Sequence, residues 1–109
     1  MMQPIDPQSL PTFKLFMGGY WNQMADEVFG TLGAALEQFA SDASRNDNPA
    51  EYLGNLVMEM REVRRRGYAL ELDGVETPEV WEFWSNAGGR GLGGDDFDLI
   101  DKFLTRRIA

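Results

Sequence analysis

Large apolar side chains recur at helical spacing in five stretches of the chain. The stretches cover residues 13–21, 32–43, 53–63, 80–84 and 97–108. Within them apolar residues recur about every third or fourth position, which places most of these side chains on one side of a helix. No internal repeat or separate linker interrupts this order. The pattern predicts an all-α fold, a compact single-domain bundle of about five helices.

Capping residues indicate where the helices begin. Residues 1–11 carry three prolines and little periodicity, so we expect an extended lead-in, followed by a helical domain over residues 12–109. Thr12 is a suitable N-cap for the first helix and Thr31 for the second, because a side-chain oxygen can accept a free backbone N–H there. Asn48 before a proline marks the third helix in the same way.

Three glycine-containing or alternating segments interrupt the helices. The Gly18-Gly19 pair either ends the first helix early or lets another backbone approach closely, and we expect close packing. Residues 68–72 alternate as a strand would, but a lone strand has no partner, so a short helix or extended connector is expected. Glycine-rich residues 88–94 predict a flexible loop, and Asp95-Asp96 is expected to cap the last helix.

Composition argues against catalysis. The 109 residues include no histidine and no cysteine, which removes the commonest general base, the commonest metal ligand and every thiolate site. The G-x-G-x-x-G spacing that begins at Gly89 follows a helix rather than a strand, so it does not predict a nucleotide site. The spacing of Asp95, Asp96, Asp98 and Asp101 lacks the glycine and terminal glutamate of a calcium loop. We expect no enzyme activity, no cofactor and no metal.

Charge indicates the kind of partner. The formal net charge is −8 and the sequence pI is about 4.4, which disfavours nucleic acid and anionic membranes and favours a basic protein partner. The basic run Arg64-Arg65-Arg66 precedes Gly67, so it is read as the end of the third helix. No stretch approaches the roughly 20 apolar residues of a membrane span, and the N-terminus has no leader pattern. A cytoplasmic protein is expected.

Residues 13–23 read Phe-Lys-Leu-Phe-Met-Gly-Gly-Tyr-Trp-Asn-Gln. This order resembles the N-terminal segment of immunity proteins of contact-dependent growth inhibition systems, in which an aromatic residue, a Gly-Tyr-aromatic step and a polar pair precede a loop and a second helix. The resemblance extends over about the first two thirds of the chain, and the last third departs from the pattern. It implies a small, often all-helical cytoplasmic protein that binds the C-terminal toxin domain of a surface effector, commonly a nuclease, and blocks it without turnover.

Acidic residues near the fourth helix and at the start of the last are the candidate contacts for such a toxin. A basic, nucleic-acid-cleaving domain would be drawn to carboxylates that occupy the groove meant for phosphates. The candidate partner-binding residues are Glu71, Asp73, Glu76, Glu79, Asp95, Asp96 and Asp98.

Two other functions fit the same sequence. An acidic helical adaptor or regulatory subunit of an unrelated enzyme could dock through Trp81 or Trp84, although tryptophans on a short helix are more often core residues. A small-molecule binder with an aromatic-lined pocket is the third possibility. The sequence leaves the oligomeric state and the substrate of the toxin open.

Overall fold

The longest helix, residues 49–65, packs against three of the other helices. The computed structural model describes residues 6–22, 24–70, 78–88 and 91–108. After a short 3-10 turn at Pro7–Ser9, the helices are α1 (Pro11–Gly19), α2 (Ala25–Val28), α3 (Leu32–Ala43), α4 (Pro49–Arg65), α5 (Pro78–Ala87) and α6 (Gly94–Ile108). Five of these have nine or more residues, and the described ranges contain no strand longer than a single-residue bridge. The predicted all-α bundle is confirmed.

The core joins aromatic side chains from four helices. Phe13 of α1, Phe39 of α3 and Trp84 of α5 are essentially fully buried. Phe13 stacks on Phe83 with ring centroids 5.7 Å apart, and Phe16 meets the edge of Phe39 at 5.4 Å. Such contacts add to the hydrophobic free energy of burial. The predicted inner faces of α3 and α4 are all buried: Leu32, Ala35, Leu36, Phe39, Ala40, Ala43, Leu53, Leu56, Val57, Met60 and Val63.

The caps of α3 and α4 form as predicted. Thr31 Oγ1 accepts the backbone N–H of Ala34 at 3.1 Å, and Asn48 Oδ1 accepts that of Glu51 at 3.2 Å. At the other end of α4, Gly67 has φ +90°, the left-handed conformation that glycine adopts without a steric penalty. Residue identity therefore sets where these two helices start and where α4 stops.

The predicted N-cap at Thr12 is wrong. α1 begins at Pro11, after Leu10, and no side chain of its own caps it. Thr12 is buried inside the helix, and Glu59 of α4 accepts its backbone N–H instead. The described part of the lead-in, residues 6–10, also contains the Pro7–Ser9 turn rather than a fully extended chain.

The Gly18-Gly19 pair ends α1 and does not admit close packing at its missing side chains. A Cβ added to either glycine would meet no atom within 4 Å. Gly88 does approach Gly18 from another side, since a Cβ added to Gly88 would be 3.6 Å from the Cα of Gly18. The helix closes because Tyr20 and Trp21 both donate their backbone N–H to the carbonyl of Phe16, at 2.8 and 3.1 Å.

The described part of the loop before α6 is packed rather than free. Leu70 donates its N–H to the Leu92 carbonyl at 2.8 Å and forms a parallel bridge with Gly93. Leu92 is fully buried. Residues 68–70 are not helical, which excludes the short helix for this part of the connector, and residues 71 and 72 lie outside the described residues. The flexible-loop prediction is wrong for Leu92 and Gly93, because they supply the partner that the connector was expected to lack.

Candidate partner-binding surface

The aromatic segment at the start of the chain builds the core and the end of α1. Phe13, Phe16 and Met17 are fully buried, which confirms the core interpretation of the apolar stripe for these residues. Asn22 shapes the turn that follows: its Nδ2 donates to the Gly18 carbonyl at 2.8 Å, and its Oδ1 accepts the N–H of Met24 at 2.8 Å. Gln23 lies outside the described residues. The buried side of the segment therefore positions α1, and its other side, with Lys14, Leu15 and the two glycines, lines an open groove of about 440 Å³.

Tyr20 and Asp42 connect this turn to α3. The Tyr20 hydroxyl donates to Asp42 Oδ2 at 2.5 Å, and Gln38 Nε2 donates to Asp42 Oδ1 at 2.9 Å. Burial and then the hydrogen bond to Asp42 raise the pKa of Tyr20. The hydrogen bonds from Tyr20 and Gln38 lower the pKa of Asp42. At neutral pH the phenol thus stays a donor and the carboxylate stays ionised, which suits a structural contact between helices.

The two tryptophans of α5 have opposite environments. Trp84 is 1% exposed, and its indole N–H donates to the Tyr68 carbonyl at 2.9 Å. Trp81 is 48% exposed. Phe83 stacks on Tyr68 with ring centroids 4.2 Å apart. The inner side of α5 is thus held in the core, and its outer side presents Trp81 beside the exposed Glu82.

The candidate acidic residues divide into two groups. Glu71, Asp73 and Glu76 lie outside the described residues, and Glu79 is the second residue of α5. Asp95, Asp96 and Asp98 lie in the first turn and a half of α6.

The α6 carboxylates are largely engaged within the chain. Asp96 Oδ2 accepts the N–H of Gly93 at 2.9 Å, so Asp96 caps α6 from its third position. Asp98 pairs with Arg64 at 2.5 Å. Asp95 is exposed and makes no cap hydrogen bond in the described part of the chain. The expectation that both Asp95 and Asp96 cap the helix is therefore met by Asp96 alone.

The longest stretch of the sequence with acidic residues and no basic residue runs before and into α5. No lysine or arginine occurs between Arg66 and Arg90, whereas Glu71, Asp73, Glu76, Glu79 and Glu82 all fall in that interval. In the helices α3, α4 and α6, arginines form ion pairs with four of the acidic residues. The ion pairs of the described residues are Arg61–Asp101, Arg64–Asp98, Arg65–Glu62, Arg66–Glu62 and Arg107–Glu37. In the sequence this acidic stretch leads up to the exposed Trp81.

The outer side of α6 carries a shallow groove of about 300 Å³. It is lined by Leu99, Lys102, Phe103, Arg106 and Arg107. The Arg107 guanidinium lies 5.2 Å from the centre of the Phe103 ring, at a distance that suits a cation–π contact, and also pairs with Glu37 of α3. This surface is apolar and basic, in contrast to the acidic stretch around α5.

Searches of the described residues for metal-binding and membrane-spanning features gave none. No three acidic side chains among residues 6–22, 24–70, 78–88 and 91–108 are arranged to hold a metal ion. No helix in those ranges combines the length and the apolar character of a membrane span.

Comparisons of the chain with family models, with curated proteins and with solved structures gave no match. Support for a function therefore comes from the contacts described above and from the resemblance carried by residues 13–23. Sequence reasoning missed the α4–α6 ion pairs and the α6 groove. Leu99 and Phe103, four positions apart between charged residues, were the available signal for the groove.

Proposed function

We propose that this chain is an immunity protein of a contact-dependent growth inhibition system. It binds the cognate C-terminal toxin domain one to one in the cytoplasm and neutralises it without catalysis. The resemblance of residues 13–23 to that class supports the proposal, as does a composition that lacks histidine and cysteine. A small helical domain with a rigid core is a suitable inhibitor, because a preformed surface loses little conformational entropy on binding.

The outer side of α5 is the observation that carries the proposal. Trp81 is half exposed on a helix whose inner side is held by Trp84 and Phe83. Exposed tryptophans on a fixed scaffold are frequent binding hot spots. Glu82 is exposed beside it, and the preceding residues carry four more acids and no base. An apolar anchor next to the exposed Glu82, and preceded by an acidic stretch of sequence, fits a basic protein surface.

The partner chemistry follows from this charge. A toxin that cleaves nucleic acid has a basic groove that binds phosphates. Carboxylates placed over that groove compete with the phosphates and increase the association rate through long-range attraction. We therefore propose a basic nuclease domain as the target, with Glu71, Asp73, Glu76, Glu79 and Glu82 as its acidic contacts and Trp81 as the apolar one.

A growth experiment tests the function. The C-terminal domain encoded immediately upstream of this chain is expressed from an inducible plasmid, with and without this chain on a second plasmid. Rescue of growth by this chain, and not by an unrelated acidic helical protein of similar size, is the expected result. A toxic upstream domain that kills equally in both strains contradicts the proposal.

Variants then test the surface. Trp81→Ala combined with Glu82→Lys is expected to weaken toxin binding by at least about tenfold, as for a hot-spot residue and an adjacent charge. The matched control is Met58→Ala with Glu27→Lys, two exposed residues on α4 and α2. Isothermal titration calorimetry at two salt concentrations measures the affinity, and thermal unfolding checks that both variants fold. Equal affinity for the two variants removes α5 from the interface.

The exposed Trp81 equally favours the second candidate, an acidic adaptor or regulatory subunit. Such a protein would dock the same side of α5 on an enzyme of the host cell. The two functions separate in the growth experiment. If the upstream product is harmless, copurification of a single enzyme with the natural chain and not with Trp81→Ala supports the adaptor.

A further inference from the structure

The outer side of α6 combines ordered charge with exposed apolar residues. Six residues at helical spacing form one stripe along the outer side of α6. They are Asp95, Asp98, Leu99, Lys102, Phe103 and Arg106, at positions i, i+3, i+4, i+7, i+8 and i+11. The opposite side, with Phe97, Ile100 and Leu104, is buried in the core. Leu99 is 45% exposed and, with Phe103, lines the groove described above. The stripe is acidic at its start, carries Leu99 and Phe103 on either side of Lys102 in its middle, and ends in the basic Arg106.

The helix dipole accounts for only part of this order. Acids at the start of a helix and bases at its end are each stabilised by the dipole. That effect gives no reason for Leu99 to lie exposed beside the partly buried Phe103. Within the described residues, Asp95, Lys102 and Arg106 take part in no ion pair, whereas Asp98 is paired with Arg64. Charges at both ends of the stripe thus remain available to a second molecule.

A second copy of this chain complements the stripe when the two α6 helices run antiparallel. In the register that sets Asp95 of one copy opposite Arg106 of the other, the two-fold axis repeats the same contact at the far end. Leu99 and Phe103 of both copies then meet in the middle, where helix side chains interdigitate. A parallel arrangement places acid against acid and base against base, and so is disfavoured. We infer that the chain forms a two-fold symmetric homodimer through the outer sides of α6.

The interface is small, so the dimer is expected to be weak. One helix packed on another buries less than the roughly 1,200 Å² that marks the lower limit of standard interfaces. A dissociation constant on the order of tens of micromolar is consistent with that size. The contact uses α6 and leaves the outer side of α5 unoccupied. The dimer therefore does not depend on the proposed function.

Sedimentation velocity of the full chain over about 1 to about 1,000 μM tests the inference. The natural chain is expected to pass from monomer to dimer in this range. Asp95→Arg alone and Arg106→Asp alone are each expected to weaken the dimer by at least about tenfold, because each sets like charges opposite each other twice. An equimolar mixture of the two variants is expected to dimerise again, since both contacts of the mixed pair then join opposite charges.

Controls separate this surface from general charge effects. Glu27→Arg and Arg45→Asp make the same changes at exposed positions off α6, and the dimer is expected to persist in both. Circular dichroism checks the fold of each variant. A natural chain that stays monomeric at the highest concentration overturns the inference. A dimer that neither α6 variant weakens, or a mixture that stays monomeric, overturns it as well.

Discussion

Arg61 and Asp101 form a two-point ion pair between α4 and α6. Arg61 Nε lies 2.5 Å from Asp101 Oδ2, and Arg61 NH2 lies 2.9 Å from Asp101 Oδ1. Arg64, one turn later on α4, pairs with Asp98, one turn earlier on α6. These contacts border the apolar seam in which Phe97, Ile100 and Leu104 pack. They fix the register of α6 on α4 more than they stabilise the fold, because exposed ion pairs contribute little free energy.

We expect Asp101→Asn to lower the melting temperature at pH 7 by a few degrees at most. The hydrogen bond from Arg61, and then the charges of Arg61 and Arg64, lower the pKa of Asp101. A carboxyl with a lowered folded pKa stabilises the protein above its unfolded pKa of about 3.9, and that contribution is lost as pH falls through the folded value. The difference between natural chain and variant is therefore expected to shrink on acidification.

Thermal unfolding between pH 7 and pH 2 measures this difference. Asp47→Asn is the control, since Asp47 is exposed and pairs with no cation among the described residues. A gap for Asp101→Asn that widens as pH falls contradicts the assignment of the pair.

Local sequence signals correctly predicted the starts of α3 and α4 but not the start of α1. The Thr31 and Asn48 caps involve residues three positions apart, so a short window contains both partners. The N-terminus of α1 is instead capped by Glu59, which lies 47 positions from Thr12 along the chain. A contact of that separation depends on how the helices pack, and so the residue pattern placed the cap at Thr12 itself.

Removing the Glu59 carboxylate should destabilise the protein. Its Oε1 accepts two backbone N–H groups, from Thr12 at 3.0 Å and from Phe13 at 3.1 Å. Glu59→Ala leaves both without this acceptor and is expected to cost about 1–2 kcal/mol, as for the loss of an N-cap. Glu59→Gln keeps an acceptor oxygen and is expected to cost less. Urea denaturation gives the free energies, with exposed Glu27→Ala as the control. Equal losses for the alanine and glutamine variants would count against capping.

Tyr20 is expected to make stability sensitive to alkaline pH. Its pKa is raised by burial and by the hydrogen bond to Asp42. A phenol with a raised folded pKa stabilises the protein fully below its unfolded pKa of about 10, and the contribution is lost as pH rises through the folded value. Tyr20→Phe should therefore be less stable than the natural chain at pH 7 and should lose less of its stability above about pH 10. Melting temperatures from pH 7 to pH 11 test this, and parallel curves contradict it.

Periodicity placed α5 in the core but could not separate its two tryptophans. Trp81 and Trp84 are three positions apart, close enough on a helix for either to face inward. The packing decides between them. The Trp84 indole donates to the Tyr68 carbonyl in the connector after α4 and is buried, whereas Trp81 lies on the exposed side of the helix. The exposed side of α5 thus depends on a tertiary contact that the local pattern does not contain.

Two glycines of the α4 region should respond to alanine in opposite directions. Gly54 lies in the interior of α4, and a Cβ added there meets no atom within 4 Å. Gly54→Ala is therefore expected to stabilise the protein by about 1 kcal/mol, the difference in helix propensity. Gly67 has φ +90° just after the helix. Gly67→Ala is expected to destabilise by about 1–2 kcal/mol, because a Cβ is strained in the left-handed region.

Urea denaturation of both variants and of the natural chain measures the two changes in the free energy of unfolding. Each variant serves as the control for the other, because both replace a glycine by alanine. The slope with denaturant should be equal in all three proteins, since neither change alters the surface exposed on unfolding. Stabilisation by Gly67→Ala would contradict a left-handed residue at the end of α4. Destabilisation by Gly54→Ala would mean that another group occupies the space beside Gly54, and in the described chain nothing lies there.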